Sequence, residues 1–316
     1  MIPILPTTNE ITITVKVNGD IKISKNILKQ LTEVYRKIRN TARFILGNLS
    51  DFDPDKEILP YEELEEIDKF ILLTLNKFIK DITYAYKNYE FHQVYHRYQY
   101  FSTVTLSSFY LDILKDRLYV EHPKSKRRLA AQTTIYTILN AFVKMLAPIL
   151  SFTAEEIWQN MPHKREENLE SVQLAPWPQE IRIPEDKELQ EKWEKITNIR
   201  ESILKELEKK RAEGIIGNSL DAKVYLATDN KELLKFLEEN KDILREVFIV
   251  STLEIDKKDK AQYFSHKDEN LKDLYIGVEQ AKGEKCARCW VISEEVGRDP
   301  KHPDLCPRCN KIVEDL

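Results

Sequence analysis

Apolar residues recur at helical spacing over most of the first half of the chain. From Ser24, in an N-cap position, to Leu46 they fall mostly at steps of three and four. A short helix ending near Met161 is predicted to begin at Thr153, with Glu156 completing a capping box. Further runs of apolar residues at helical spacing predict helices from Pro60 to Asn88, Phe91 to Tyr119 and Arg127 to Met145. Long helices joined by short loops predict an antiparallel bundle.

The pattern changes in the second half of the chain. Residues 162–185 contain several prolines and charges, which predicts a linker lying over the surface. A highly charged helix is predicted from Asp186 to Ala212. The remaining elements expected are strands at Ala222–Ala227, Val247–Ile255 and Leu274–Val278 and a short helix at Lys231–Asn240. The predicted fold class is therefore mainly α, an antiparallel helical bundle followed by a small α+β unit.

Composition excludes several classes of protein. Glycine is scarce, with 7 residues in 316, and neither a dinucleotide-binding glycine motif nor a Walker loop is present. No apolar run reaches the length of a bilayer span, and residues 1–14 do not read as a secretory signal. These features predict a cytoplasmic protein without a membrane partner. The net charge of −4 argues against a uniformly basic surface but leaves room for a local basic patch.

All 4 cysteines of the chain lie in its last tenth, as two C-x-x-C pairs. The pairs are Cys286 with Cys289 and Cys306 with Cys309. Two such pairs, separated by the segment between Cys289 and Cys306, predict one tetrahedral Zn²⁺ site. Because four thiolates leave no open position on the metal, the site should be structural. A redox dithiol would use a single pair. His302 is an alternative ligand, although a histidine in a surface loop is the simpler interpretation.

Two groups of basic residues are candidates for binding phosphate. Arg36, Arg39 and Arg43 share one face of the first helix, largely opposite its apolar stripe. The alternative is an ordinary solvated face. Arg127 and Arg128 belong to a second cluster at the start of a helix. Because the helix dipole disfavours cations there, this cluster indicates an anionic partner.

Several stretches, in order, resemble the C-terminal part of isoleucyl-tRNA synthetases of bacterial type. They are YRKIRNTARFILGN (35–48), LSSFYLDILKDRLY (106–119), APILSFTAEEIW (147–158), GNSLDAKVYL (217–226), CARCW (286–290) and LCPRC (305–309). The resemblance covers residues 20–316, whereas residues 1–19, including the strand-like ITITVKV, match nothing expected. It implies an anticodon-binding bundle at 20–161, the linker at 162–185, a helix with a small junction domain at 186–280 and a zinc finger at 281–316.

The resemblance implies that the chain binds the anticodon arm of tRNA(Ile), not DNA, and acts as a monomer. Arg288, inside the first cysteine pair, and Trp290, directly after it, join Arg36, Arg39, Arg43, Arg127 and Arg128 as expected tRNA contacts. Trp290 either stacks on an anticodon base or packs in the small core around the zinc. The HIGH and KMSKS signatures that handle ATP are missing, so we expect no catalysis by this chain alone and consider a separate catalytic chain as a partner. The alternative function is a free-standing, zinc-containing RNA-binding protein that acts in trans.

Overall fold

The computed structural model describes residues 14–16, 20–22, 25–167, 170–256, 266–267 and 273–316. Ser24, the expected N-cap, lies outside these residues, as does most of ITITVKV. The strand β1 (Thr14–Lys16) pairs antiparallel with β2 (Asp20–Lys22). Among the helices described, none combines the length and the apolar character needed to cross a membrane.

The predicted helical bundle is confirmed. Its helices are α1 (Lys25–Asn48), α2 (Glu66–Lys87), α3 (Phe91–Tyr100), α4 (Leu111–Ile113), α5 (Lys115–Tyr119), α6 (Lys126–Leu146) and α7 (Ser151–Asn160). The Tyr86 hydroxyl at the end of α2 donates to the Met145 carbonyl at the end of α6. Near the starts of the same helices, Arg117 bonds to both Asp68 of α2 and the Arg127 carbonyl of α6, so the two helices run in the same direction. The chain from α3 to α5 runs beside them in the opposite direction, from Tyr98 near the end of α6 to Arg117 near its start.

The helix predicted from Phe91 to Tyr119 is not α-helical throughout, because residues Phe101–Tyr110 between α3 and α4 form a π-helix. The Leu111 N–H bonds to the Leu106 carbonyl five residues earlier, and the Ser108 hydroxyl donates to the Thr103 carbonyl at 2.9 Å. Long π-helical stretches are rare and are often found at functional sites. Serine and threonine alternate irregularly with apolar residues in this run, so its sequence gives no periodic signal that separates the two helix types.

The capping box predicted at Thr153 is wrong. Helix α7 begins two residues earlier, at Ser151, and its N-cap, Leu150, forms no side-chain cap. The Ser151 hydroxyl instead donates back to the Ala147 carbonyl at 2.8 Å, which continues the chain from α6 almost without a break. Thr153 therefore lies inside the helix, where its hydroxyl is 3.3 Å from that of Tyr35 on α1.

The predicted linker lies against α2. The Asn76 side chain bonds to both the N–H and the carbonyl of Ile181, at 2.7 and 2.8 Å. The Trp177 indole donates to the Thr83 hydroxyl at 2.8 Å. These contacts hold the segment in place without a long regular element of its own.

The second half of the chain forms the expected charged helix and a small α+β unit. Its elements are α8 (Lys187–Ala212), β3 (Ala222–Ala227), α9 (Lys231–Glu239), α10 (Lys241–Phe248), β4 (Thr252–Asp256), β5 (His266–Lys267) and β6 (Tyr275–Gln280). The sheet order is β4-β3-β6-β5. Strands β3 and β4 are parallel, which requires the crossover that α9 and α10 supply.

The strand predicted at Val247–Ile255 begins too early. Val247 and Phe248 complete α10, Ile249 adopts a left-handed conformation with φ of 57°, and β4 starts only at Thr252. Leu244, Val247 and Phe248 are buried at helical spacing. The β-branched composition of the segment obscured this helical pattern.

One hydrophobic core extends from the bundle through α8 to the sheet. Within the bundle it encloses an ion pair between Asp68 and Arg117, whose side chains are 0% and 1% exposed. Arg117 bonds to both carboxylate oxygens, at 2.9 and 2.7 Å, and the Tyr110 hydroxyl donates to Asp68 at 2.7 Å. Burial opposes the charge of Arg117, but the adjacent Asp68 carboxylate raises the pKa of Arg117 above its ordinary value.

Candidate metal centre and nucleic-acid surface

The zinc module, residues 283–316, is built from a small hairpin and a terminal helix. Its elements are β7 (Glu284–Lys285), β8 (Ile292–Ser293) and α11 (Pro307–Glu314), with β7 and β8 antiparallel. Gly283 enters the hairpin with φ of 110°, so close to the backbone of Ser293 that a Cβ atom would clash. The turn after Cys286 closes when the Trp290 N–H donates to the Cys286 carbonyl at 3.0 Å.

The four cysteines come together as the spacing predicted. Their Sγ atoms lie within 4.8 Å of one another, and all four side chains are buried. The Sγ atoms of Cys289 and Cys306 are 3.7 Å apart, close to the edge of about 3.8 Å that a tetrahedron with Zn–S bonds of about 2.3 Å requires. Within the described residues this group contains no histidine, so His302 is not a ligand. The donor set fits one structural zinc.

The crowding of the sulfur atoms governs their protonation. Hydrogen bonds from Cys289 and Cys309 hold the pKa of Cys306 well below its ordinary value, whereas the same contact raises the pKa of Cys289 to about 11. The Cys306 N–H also donates to the Sγ of Cys286 at 3.3 Å. Thiolates packed this closely repel one another, so the full set of four needs a cation to neutralise it. The four cysteines would hold Zn²⁺, which would supply that charge.

Trp290 lies on the surface of the zinc module. Its side chain is 59% exposed, which places it outside the core around the cysteines. The packing alternative considered for this residue therefore does not hold. The backbone has φ of 66°, an uncommon conformation for a bulky residue, and the Lys285 Nζ lies 5.4 Å from the ring centroid. An exposed ring beside a cation is suited to stacking on a base.

The α1 arginine face consists of Arg36, Arg39 and Arg43. Arg36 and Arg43 are exposed and Arg39 is half-buried. The opposite side of α1 buries Val34, Ile38, Ala42 and Ile45. Within the part of the chain that the structure describes, none of the three guanidinium groups forms an ion pair. The face therefore presents positive charge that is not neutralised locally.

Arg127 and Arg128 are engaged within the protein. Arg127 bonds to both carboxylate oxygens of Glu246 at 2.8 Å and also contacts Glu121 at 3.4 Å. Arg128 pairs with Asp51 at 2.9 Å, and its side chain is only 13% exposed. The anionic partners that the sequence indicated for this cluster are thus carboxylates of the same chain. No single-sequence signal identifies Glu246, because it lies 119 residues away from Arg127.

The arginines inside the two cysteine pairs contact the helical bundle. Arg308 binds Asp116 of α5 through two bonds of 2.7 and 2.6 Å, and Arg288 donates to the Val120 carbonyl at 2.8 Å. The Val120 side chain is buried among the four cysteines. Sequence reasoning did not identify Asp116, since its partner lies 192 residues further along the chain.

Comparison with known proteins agrees with this geometry. A family described as the anticodon-binding domain of tRNA ligase matches residues 68–226, and one described as a zinc finger found in FPG and IleRS matches residues 283–312. The chain is 51% identical to an isoleucine–tRNA ligase of Caldanaerobacter subterraneus over 94% of its own length and 32% of that protein. It is 47% identical to one of Thermoanaerobacter pseudethanolicus over 96% of its own length and 32% of that protein. The corresponding protein of Caldicellulosiruptor saccharolyticus is 48% identical over 93% of the chain and 31% of that protein.

Proposed function

Because this chain belongs to the family of anticodon-binding domains of tRNA ligases, we propose that it holds the anticodon arm of tRNA(Ile) within an isoleucine–tRNA ligase. The chain spans 32% of the length of the relative from Caldanaerobacter. The proposal assigns RNA binding to this chain and the ATP-dependent attachment of isoleucine to the remainder of such a protein. A free-standing RNA-binding protein is not favoured, since these relatives are isoleucine–tRNA ligases.

The observation that carries the proposal is the α1 arginine face. Arg36, Arg39 and Arg43 offer unneutralised guanidinium groups along one side of a helix. Such a row suits the phosphates of an RNA stem, which position the RNA without reading its sequence. Arg127 and Arg128 could bind RNA only by giving up contacts within the protein, and Arg288 donates to the Val120 carbonyl, so we assign all three to holding the fold together.

Base reading is assigned to Trp290. Unpaired anticodon bases are recognised by stacking on aromatic rings and by hydrogen bonds to their edges. Trp290 is exposed, and the turn closed by the Cys286 carbonyl fixes its backbone. The nearby Lys285 adds a cation that can meet the adjacent phosphate. In this proposal zinc acts indirectly, by fixing the turn that presents the tryptophan.

Arg39→Ala is expected to weaken binding of every tRNA by a similar factor, because a phosphate contact carries no sequence information. The dependence of log affinity on log salt concentration should become less steep, by about 0.7–0.9 per lost phosphate contact. Filter-binding titrations at several salt concentrations measure both quantities.

Arg165→Ala is the matched control. Arg165 is an exposed arginine that lies within the linker, away from α1, and pairs with Asp55. Arg165→Ala removes the same formal charge as Arg39→Ala, and it should leave the dependence of log affinity on log salt concentration unchanged. If the slope of log affinity against log salt concentration were the same for the wild type and Arg39→Ala, the α1 arginine face would not contact the RNA.

A further inference from the structure

A row of hydrogen-bond acceptors lies along the return from α3 to α6. Ser108, Asp112, Asp116 and Val120 follow one another at steps of four along this run. Each meets an arginine from the second half of the chain. Arg200 of α8 donates to the Ser108 carbonyl at 3.0 Å and lies 3.7 Å from the Asp112 carboxylate. Arg308 and Arg288 of the zinc module take the next two positions, on Asp116 and on the Val120 carbonyl.

We propose that Asp116 is a positioning residue for RNA binding, which orients the zinc module on the bundle so that Trp290 and the α1 arginine face contact one RNA together. The proposal rests on the proposed function. Asp116 and Arg308 form the ion pair between bundle and zinc module, and Arg288 adds the contact with the Val120 carbonyl. Planar, two-bond contacts of this kind fix orientation as well as distance.

The exposure of the ion pair distinguishes positioning from folding. The side chains of Arg308 and Asp116 are 41% and 31% exposed, and pairs this exposed add little to stability. The zinc module is held independently at its other side, where the Ile292 N–H donates to the Ser251 hydroxyl at 2.7 Å. Loss of Asp116 therefore loosens the orientation of the module, which Arg288 and Val120 still hold in part, while the zinc ligands and the attachment to the sheet remain.

The sign of the expected effect separates this role from simple electrostatics. Asp116→Ala removes a negative charge, which by Coulomb attraction alone would tighten binding to RNA. Positioning predicts the opposite. When Trp290 and the α1 arginine face can no longer contact the same RNA at once, the affinity gained from binding through both surfaces is lost.

The test is a filter-binding titration of tRNA(Ile) with the full chain, accompanied by zinc analysis and thermal unfolding. Asp116→Ala should bind about tenfold more weakly than the wild type, in line with the loss of joint engagement, with zinc retained. The double variant Asp116→Arg with Arg308→Asp should recover most of the affinity, because it restores the pair in reverse.

Glu295→Ala is the matched control. Glu295 pairs with Arg298 inside the zinc module at 2.8 Å, so the variant removes the same charge from a local pair that does not reach the bundle. It should bind as tightly as the wild type or more tightly. Unchanged or tighter binding by Asp116→Ala, or loss of its zinc, would overturn the positioning role. Failure of the wild type to bind tRNA would instead count against the proposed function.

Discussion

Replacement of Cys306 by serine, or removal of zinc by a chelator, is expected to unfold the zinc module while the helical bundle stays folded. The module contributes five buried side chains to the core around the sulfur atoms, and four of them are the cysteine ligands; the sixth member of this core is Val120 of the bundle. So small an apolar core cannot offset the entropy of ordering the chain. Structural zinc sites contribute about 10–16 kcal/mol of apparent binding free energy at neutral pH, which makes metal binding and folding one event.

Hydrogen exchange resolved along the chain measures this effect. Protection should disappear over residues 284–314 and persist in α2 and α6, which belong to the separate main core. His302→Ala serves as the control, since His302 lies outside the sulfur cluster, and it should retain both the metal and the protection. Native protection of the module after complete removal of zinc would contradict the structural role of the metal.

Replacement of Asp68 by alanine is expected to destabilise the bundle by about 3–5 kcal/mol, the usual cost of removing one partner of a buried ion pair. Arg117 would keep its charge in a site where it is 1% exposed, and the Tyr110 hydroxyl would lose its acceptor. The two hydrogen bonds from Arg117 to the Arg127 carbonyl, at 3.1 and 2.8 Å, cannot replace a negative charge.

Urea denaturation followed by circular dichroism measures this loss as a lower midpoint at an unchanged slope. The control is Asp81→Ala. Asp81 pairs with Arg97 at 2.9 Å, but the arginine side chain is 48% exposed, so the loss should stay within about 1 kcal/mol. An Asp68→Ala protein as stable as Asp81→Ala would show that the buried pair does not hold the bundle together.

The features predicted correctly from the sequence are those set by neighbouring residues. The apolar stripes of α1, α2 and α6 and the two cysteine pairs depend on spacings of a few residues, so one sequence is enough to locate them. The boundary between α10 and β4 was misplaced because Val247 suits both a strand and the buried face of a helix. The early start of α7 depends on its continuity with α6, which capping rules do not capture.

The partners of the arginines could not be predicted from the sequence. Arg127 and Arg128 stand near a helix start, and that position favours an anionic partner. The fold supplies that partner from distant parts of the chain, through Glu246 for Arg127 and Asp51 for Arg128. In the sequence, an arginine that pairs with a distant carboxylate cannot be distinguished from one that is available to bind a phosphate. Only the tertiary contacts distinguish Arg127 and Arg128 from the arginines of the α1 arginine face.

The most direct test of the account is a filter-binding titration of tRNA(Ile) against a copy with a swapped anticodon, for the wild type and Trp290→Ala. The account predicts tighter binding of the native anticodon by the wild type. Trp290→Ala should lose about 1–3 kcal/mol of affinity for it, the usual contribution of one stacked base, and should no longer distinguish the two RNAs. Equal affinity of the wild type for both RNAs, unchanged in Trp290→Ala, would mean that the chain holds RNA without reading the anticodon.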